Sequence, residues 1–432
     1  DELLVDGKDP RRKNVDSGKV GIIYCTDSFA AFKHRFSGTS KERRRWAVET
    51  LSLDRETFIE KLIFIEVIVD RNDILTANLL AKQRADIERK RQSVVDARES
   101  EDLARTDLGR GRLGVEDESL LQKTINDFNQ RCTQYKRMFV SLQGDGSEDD
   151  LCYMKLINYG QKVVTNNMHG YLRMRIAQFL TVIHPTSHSI YLTRHGMSEY
   201  NVLGKLGGNP PLTEAGEEYA RRLAEWTPTH MFMQHGVLTK CRLWTSSLQR
   251  TILTAANIPH PLISTAAIPS AQQLSDSSEE QMEGHPTWEQ MSPRVYRNLD
   301  EIFAGEYEGK TYEEIKAISP SEASLRSMDK IGYRYPRGES YFDILARLDP
   351  LVHELESYHE PLLLVSHQAV LRMLYAYLMG MPRAEAPKID IPLHTVMKIT
   401  YDGWNPPTEE RFVLGPDPKD FSPDKPASPT FT

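Results

Sequence analysis

The sequence predicts an α/β protein of two sheet-based domains followed by a polar tail. Three observations predict it. Short apolar, β-branched runs alternate with amphipathic stretches in both halves of the chain. The 432 residues suffice for two or three domains, each burying its own core. Several apolar runs of the second half end abruptly in arginine or histidine, and in open α/β sheets ligands bind beyond the carboxyl ends of strands.

In the first half, "GKVGIIYCTDS" (18–28) and "EKLIFIEVIVD" (60–70) read as buried strands with the helical stretch "SKERRRWAVETLS" between them. That spacing predicts a parallel βαβ unit. The stretch 73–108 is helical and increasingly charged. "GRGRLG" (109–114) matches GxGxxG formally, but no strand precedes it and it lies in a polar charge run, so it reads as a solvated loop. "SLLQKTINDFNQRCTQYKRMF" (119–139) predicts another amphipathic helix, and 159–183 a coil leading into a helix. "HPTSH" marks a domain boundary near residue 185, with His184 and His188 read as linker because Pro185 separates them.

The second half has a clearer rhythm. "HSIYLTRHG" is a strand, and "LTEAGEEYARRLAEW" a helix with Thr213 as its N-cap. "KCRLWTSS" is a strand, "SLQRTILTAANI" a helix, "PLLLVSHQAVLRMLYAYLM" a strand running into a helix, and "TVMKITYD" a final strand. Residues 261–290 are polar and poor in bulky side chains, and read as a long surface insertion within a domain of 186–403. Residues 404–432, rich in Pro and Asp, read as a disordered tail.

A net charge of −7 argues against general nucleic-acid binding, which needs a cationic excess. Four scattered cysteines without a CxxC pair fit reduced thiols rather than a disulfide scaffold or a zinc knuckle. No apolar stretch reaches a membrane span of about 20 residues and no signal peptide opens the chain, so cytoplasm is the expected compartment. The chain begins without Met, as a fragment or processed form would.

The strand ends carry the chemistry. Arg194 and His195 follow "SIYLT", Arg250 lies one turn into the helix after "RLWTS", and His367 follows "LLLVS". A phosphoryl group spreads its charge over three oxygens that arginine forks match bidentately. A neutral imidazole is a competent nucleophile toward phosphorus. Gly196 lets the backbone approach and aims its N–H at an anion, and the second histidine is placed to donate to the equatorial oxygens. The cations are protein-borne, so no metal is called for, and no metal-ligand spacing is evident. An acid for the leaving oxygen is offered by Glu301, which residue type alone does not distinguish from Glu306 or Glu308.

"LTRHGMSEYN", "WTSSLQRTILTA", "LDEIFAGEYEGKTYEEI" and "SHQAVLRMLYAY" resemble the histidine phosphatase superfamily, which has a phosphoglycerate-mutase-like α/β fold. "YRYPRGESYFDILARLDPLVHELE" and "IPLHTVMKIT" are characteristic of the 6-phosphofructo-2-kinase/fructose-2,6-bisphosphatase family within it. The resemblance covers about residues 186–402. It implies His195 as a nucleophile forming a phosphohistidine, with Arg194, Arg250 and His367 holding the phosphoryl group and Asn201 assisting. It implies Glu301 as general acid, and Tyr312, Arg326, Lys330, Tyr341, Gln368 and Arg372 as ligands of the sugar phosphate. Arg326 and Lys330, like Gln368 and Arg372, are four apart and so share a helical face. Phe303 stands where the family has Asp, a change expected to alter the acid's local field.

The first half resembles the P-loop kinase domain of the same family through "KERRRW", "VIVDRNDILTANLLAKQ" and "LINYGQKVVTNNMHGYLRMRIAQFLTVIH". It lacks a Walker A loop, and Tyr24 falls where the resemblance places a catalytic Asp, with Asp27 the nearest substitute. Residues 1–185 are therefore expected to be a degenerate or truncated kinase-like parallel sheet, inactive as a kinase and regulatory or dimer-forming. A homodimer is one expected assembly, and ATP and Mg enter only with an intact kinase domain upstream.

The expected activity is hydrolysis of a small sugar bisphosphate, fructose 2,6-bisphosphate, with no cofactor, nucleic acid or membrane partner. Alternatives are a broader sugar phosphatase or mutase-like enzyme, a truncated bifunctional kinase–phosphatase, and a non-catalytic sugar-phosphate sensor.

Overall fold

The computed structural model describes residues 63–69, 139–158, 160–184, 186–234, 237–264, 287–401 and 405–415, and helical positions within 39–48 and 126–138. The expected strand at 18–28, Tyr24 and Asp27, the stretch 73–108 and the loop 109–114 lie outside the described residues. The chain divides into two compact units, Asp1–Thr181 and Val182–Thr432, a few residues before the boundary expected at 185.

In the first unit, β1 (Phe64–Ile68) pairs parallel with β2 (Tyr153–Ile157), and β3 (Lys162–Asn166) returns antiparallel to β2. The described sheet is thus mixed rather than wholly parallel. The stretch 159–183, expected to be coil leading into a helix, holds β3 before α1 (Tyr171–Val182). β3 is short and half exposed, so it lacks the apolar signature of a core strand. Two carboxylates are buried and satisfied here. Glu148 takes a fork from Arg44 at 2.9 and 3.0 Å, and Glu66 accepts from Ser141 and the Leu142 N–H and pairs with Lys155 at 3.4 Å.

The second unit is built on a six-stranded sheet. In chain order its elements are β4 (His188–Arg194), α2 (Glu199–Leu203), α3 (Glu214–Thr227), the short pair β5 (Met233–Gln234) and β6 (Val237–Leu238), β7 (Arg242–Thr245) and α4 (Gln249–Ala255). Then come β8 (Leu262–Ser264), β9 (Thr287–Glu289), β10 (Pro293–Val295), α5 (Tyr312–Ile318), α6 (Pro320–Met328) and α7 (Tyr341–Glu356). β11 (Leu362–Ser366), α8 (Gln368–Leu378), β12 (Thr395–Tyr401) and β13 (Thr408–Val413) complete it. The sheet order is β10-β7-β11-β4-β12-β13, parallel from β10 to β4 and antiparallel beyond.

β11 is buried at every position and β4 at its five inner ones, as expected of central parallel strands covered on both faces. One face packs Ile190, Leu192, Trp244 and Leu364 against α7 and α8. The other packs Tyr191, Leu243, Leu363 and Val365 against Tyr219, Leu223 and Trp226 of α3. Thr213 caps α3 as expected, its hydroxyl accepting the Gly216 N–H.

Two expectations are corrected. The tail from 404 is not disordered throughout, because β13 pairs with β12 from Thr395↔Val413 to Thr400↔Thr408. Its sequence, TEERFV, is mostly exposed, as befits a charged edge strand, and so reads as tail. The insertion 261–290 is not structureless at its ends: β8 and β9 pair from Leu262↔Glu289 to Ser264↔Thr287, and 265–286 lie outside the described residues. No helix among the described residues is long and apolar enough to cross a membrane.

The linker histidines are packed. His184 stacks on His359 at 3.7 Å, its Nε2 donates to the Tyr358 carbonyl at 2.9 Å, and Thr186 Oγ1 bridges the two Nδ1 atoms. Burial, then the neighbouring His359, pull the His184 imidazole from its ordinary 6.5 down to about 4. The unfolded chain then takes up a proton that the folded chain refuses, so this contribution to stability is complete above pH 6.5 and drains away as pH falls toward about 4. Urea unfolding at pH 7.5 and pH 5 should show that loss, and His184→Gln should make it smaller.

Candidate active site

Strand register builds the site. Ser366 lies opposite Arg194 across β11–β4, and Val365 lies opposite both Thr193 and Thr245. Three strands therefore end at one level, and the residues just past two of them, His195 and His367, come together with ring centroids 5.1 Å apart. Arg250 joins them from the first turn of α4, its Nε donating to His367 Nδ1 at 3.2 Å.

The backbone after β4 is tied down atom by atom. His195 N–H donates to the Ser366 carbonyl at 3.0 Å, Gly196 N–H to Thr254 Oγ1 at 2.8 Å, and Met197 N–H to His394 Nε2 at 3.1 Å. The Gly196 N–H is thus spent on Thr254 and is not aimed at an anion, correcting the expectation. Glycine is needed there for a different reason. A Cβ on Gly196 would meet the Gly216 carbonyl oxygen at 2.5 Å, and one on Gly216 would meet the Met197 carbonyl oxygen at 2.3 Å. The strand end rests directly on the first turn of α3, which fixes His195 in space.

A cavity of about 140 Å³ opens over these residues. Its lining includes Arg194, His195, Asn201, Arg250, Glu301, Tyr312, Arg326, Lys330, Tyr341, Gln368 and Arg372, so every expected site residue except His367 faces it. Six cationic side chains (Arg194, Lys205, Arg250, Arg326, Lys330, Arg372) and one carboxylate, Glu301, line it. Arg194, Arg250, Arg326, Lys330 and Arg372 form no ion pair among the described residues. They lean instead on neutral oxygens: Arg194 Nη1 on Ile391 O at 3.0 Å, Arg250 Nη1 on Gly208 O at 2.8 Å, Lys330 on Pro387 O at 3.0 Å and Arg372 on Ile389 O at 2.6 Å. The buried Nε of Arg194 has no hydrogen-bond partner.

His195 is 3 % exposed, and burial, then Arg250 and Arg194, hold its imidazole well below the ordinary histidine value, so it is neutral at physiological pH. Its Nδ1 lies 2.7 Å from the Gly196 carbonyl, which only accepts. The proton therefore sits on Nδ1 and the lone pair on Nε2, the state of a nucleophile.

Glu301 is set by its neighbours. The Asp300 carboxylate accepts the Ser247 N–H at 2.8 Å and hydroxyl at 2.7 Å, and Arg347 Nη2 donates to the Asp300 carbonyl at 2.6 Å. Glu301 Oε1 then accepts the N–H of Ile302 at 2.9 Å and of Ala369, in the first turn of α8, at 3.2 Å. The other two glutamates part from it. Glu306 pairs with Arg337 on the surface, and Glu308 accepts from the Ala304 N–H at 2.7 Å and from Gly208 N–H. Phe303 is half exposed and does not line the cavity.

The distal end is aromatic and basic. Arg326 lies over the Tyr312 ring at 4.6 Å and donates to Tyr312 and Tyr335 hydroxyls at 2.8 and 2.9 Å. Gln368 and Arg372 share α8 as expected, but α6 ends at Met328, so Lys330 reaches the cavity from beyond the helix rather than from Arg326's face. Asn201 Oδ1 is committed to Ser198, closing the capping box of α2. Sequence reasoning missed Lys205, Tyr333 and Tyr335; the first sits in a Gly-Lys-Leu-Gly-Gly loop and the others alternate along one segment, signals weak in isolation.

His367 departs from expectation. It is fully buried and does not line the cavity: Nδ1 accepts from Arg250, and Nε2 lies 2.7 Å from Ser246 Oγ. Both ring nitrogens are engaged, so its hold on the site runs through Arg250.

A parallel-rich α/β sheet with two imidazoles and two guanidiniums at its carboxyl edge is the framework of an α/β phosphatase. The chain belongs to the histidine phosphatase superfamily (branch 1), which residues 190–294 and 284–411 match. Residues 116–187 match 6-phosphofructo-2-kinase. The chain is 37% identical over 294 residues to a 6-phosphofructo-2-kinase/fructose-2,6-bisphosphatase of Arabidopsis thaliana, covering 67% of this chain and 34% of that protein. It is 39% identical over 280 residues to its counterpart in Caenorhabditis elegans (65% and 53%), and 36% identical over 273 residues to a fructose-2,6-bisphosphatase of Saccharomyces cerevisiae (63% and 52%). It thus spans between about a third and about half the length of these relatives. A solved mycobacterial glucosyl-3-phosphoglycerate phosphatase has a TM-score of 0.36 at 24% identity, covering 49% of this chain and 92% of that one.

The Gly196–Gly216 contact leaves no room for a methyl group. Gly196→Ala should destabilise the protein by about 1–3 kcal/mol through overpacking, read from chemical unfolding.

Proposed function

We propose that the second unit hydrolyses the 2-phosphate of fructose 2,6-bisphosphate to fructose 6-phosphate and inorganic phosphate, through a phosphohistidine at His195. One observation carries the reading. Six cations and a single carboxylate surround one cavity with a neutral imidazole at its strand-tip end, and only a polyanion discharges such a site. The relatives' names supply the sugar. The Arg194–Arg250 end suits the transferring phosphoryl group, and the Arg326–Lys330–Arg372 end suits the second phosphate.

In the first step His195 Nε2 attacks phosphorus as the bond from phosphorus to the C2 oxygen breaks, and Glu301 delivers a proton to that oxygen. Arg194 and Arg250 meet the charge on the equatorial oxygens with groups already in place, so little reorganisation is needed. The Gly196 carbonyl holds the proton on Nδ1 and steadies the ring as it becomes cationic. In the second step water attacks phosphorus, Glu301 takes the water's proton, and the nitrogen–phosphorus bond breaks to return His195.

His195→Ala should lower phosphate release from fructose 2,6-bisphosphate by at least about 10³-fold. Equal rates in the two proteins would refute the mechanism, and a preference for phosphoglycerate in a substrate panel would refute the substrate.

Lys330 offers a second test. Burial, then the like charges of Arg372 and Arg326, pull its ammonium from 10.5 down to about 8. It loses its charge as pH rises through that value, so kcat/KM should fall above about pH 8. Lys330→Gln should start lower and lack that limb.

A further inference from the structure

A buried network of hydroxyls continues behind His367. Ser246 Oγ lies 2.7 Å from His367 Nε2 and 2.8 Å from Thr251 Oγ1, and Thr251 Oγ1 donates to the Leu248 carbonyl at 2.7 Å. Ser246, Thr251 and His367 are all fully buried.

Proton directions follow from chemistry. A carbonyl only accepts, so the Thr251 proton points at Leu248 and Thr251 accepts from Ser246. The Ser246 proton is thereby spent, and Ser246 must accept at His367, which requires a proton on Nε2. The other end gives the same answer independently. Arginine only donates, so Arg250 Nε–H requires a bare Nδ1 on His367. His367 is therefore held as the Nε2–H tautomer, the opposite of His195, and Arg250 is clamped at Nε and Nη1 with Nη2 making no hydrogen bond among the described residues.

We propose that Ser246 is a positioning residue of the phosphoryl site: its hydroxyl accepts His367 Nε2–H, donates its own hydrogen bond to Thr251, and so keeps the Nδ1 lone pair turned to Arg250. Without it the buried Nε2–H has no acceptor, and a proton on Nδ1 would face Arg250 Nε–H donor to donor. The guanidinium would then lose its anchor just where charge develops in transfer. The proposal rests on the phosphatase reading above.

The test uses the full chain in three forms: wild type, Ser246→Ala and Ser246→Thr. Ser246→Ala should lower kcat for fructose 2,6-bisphosphate by about 10-fold or more with KM within about 2-fold, the pattern of an interaction used in the transition state. Ser246→Thr keeps the hydroxyl and should recover most of the rate. With 15N-histidine labelling, and His367→Asn to assign the signal, the wild-type ring should show protonated Nε2 and bare Nδ1, and Ser246→Ala should shift both nitrogens. An unchanged kcat, unchanged ring signals, or a Ser246→Thr protein as slow as Ser246→Ala would overturn the proposal. If the wild type releases no phosphate from this substrate, the functional reading fails, while the ring signals still judge the role of Ser246.

Discussion

Positive charge that the protein does not neutralise is the constraint from which the second unit's architecture follows. Guanidinium and ammonium groups taken from water ordinarily acquire carboxylate partners, because an unpaired buried charge costs several kcal/mol. Here four of the six cations around the cavity lean on main-chain oxygens of Ile391, Gly208, Pro387 and Ile389, which align them without cancelling their charge. Burial first, and then the Arg250 charge, keep both strand-tip imidazoles neutral. The cations that attract an anion thus add to burial in leaving a lone pair on His195.

Rigidity is the second requirement, and the sheet supplies it. Parallel register brings β7, β11 and β4 to a common level, and the three residues just beyond β4 are locked by hydrogen bonds to Ser366, Thr254 and His394. The two histidines hold opposite tautomers because one faces a carbonyl and the other an arginine. Each ring is thereby committed to a single job.

Much of this was legible in the sequence. Apolar runs such as SIYLT and LLLVS that stop at Arg-His or His mark central strands and their tips, because burial and catalysis impose opposite residue types on adjacent positions. What escaped was tertiary. KVVTN and TEERFV are strands in which no residue is fully buried, so no hydrophobic period announces them. Gly196 looked like an anion cradle, yet its small size serves α3. His367 looked like a hydrogen-bond donor to the phosphoryl oxygens, yet its Nε2 lies against Ser246, 121 residues away and beyond any local pattern. Lys330 misled because spacing of four implies a shared face only while the helix lasts, and α6 stops two residues earlier.

The β8–β9 ladder holds Ser264 opposite Thr287, so the stretch of chain between them starts and ends at nearly the same point. Doubling such an excursion adds only about 0.6 kcal/mol of closure entropy. A change in the number of residues between Ser264 and Thr287 is therefore thermodynamically cheap, because the ladder itself holds the two ends together.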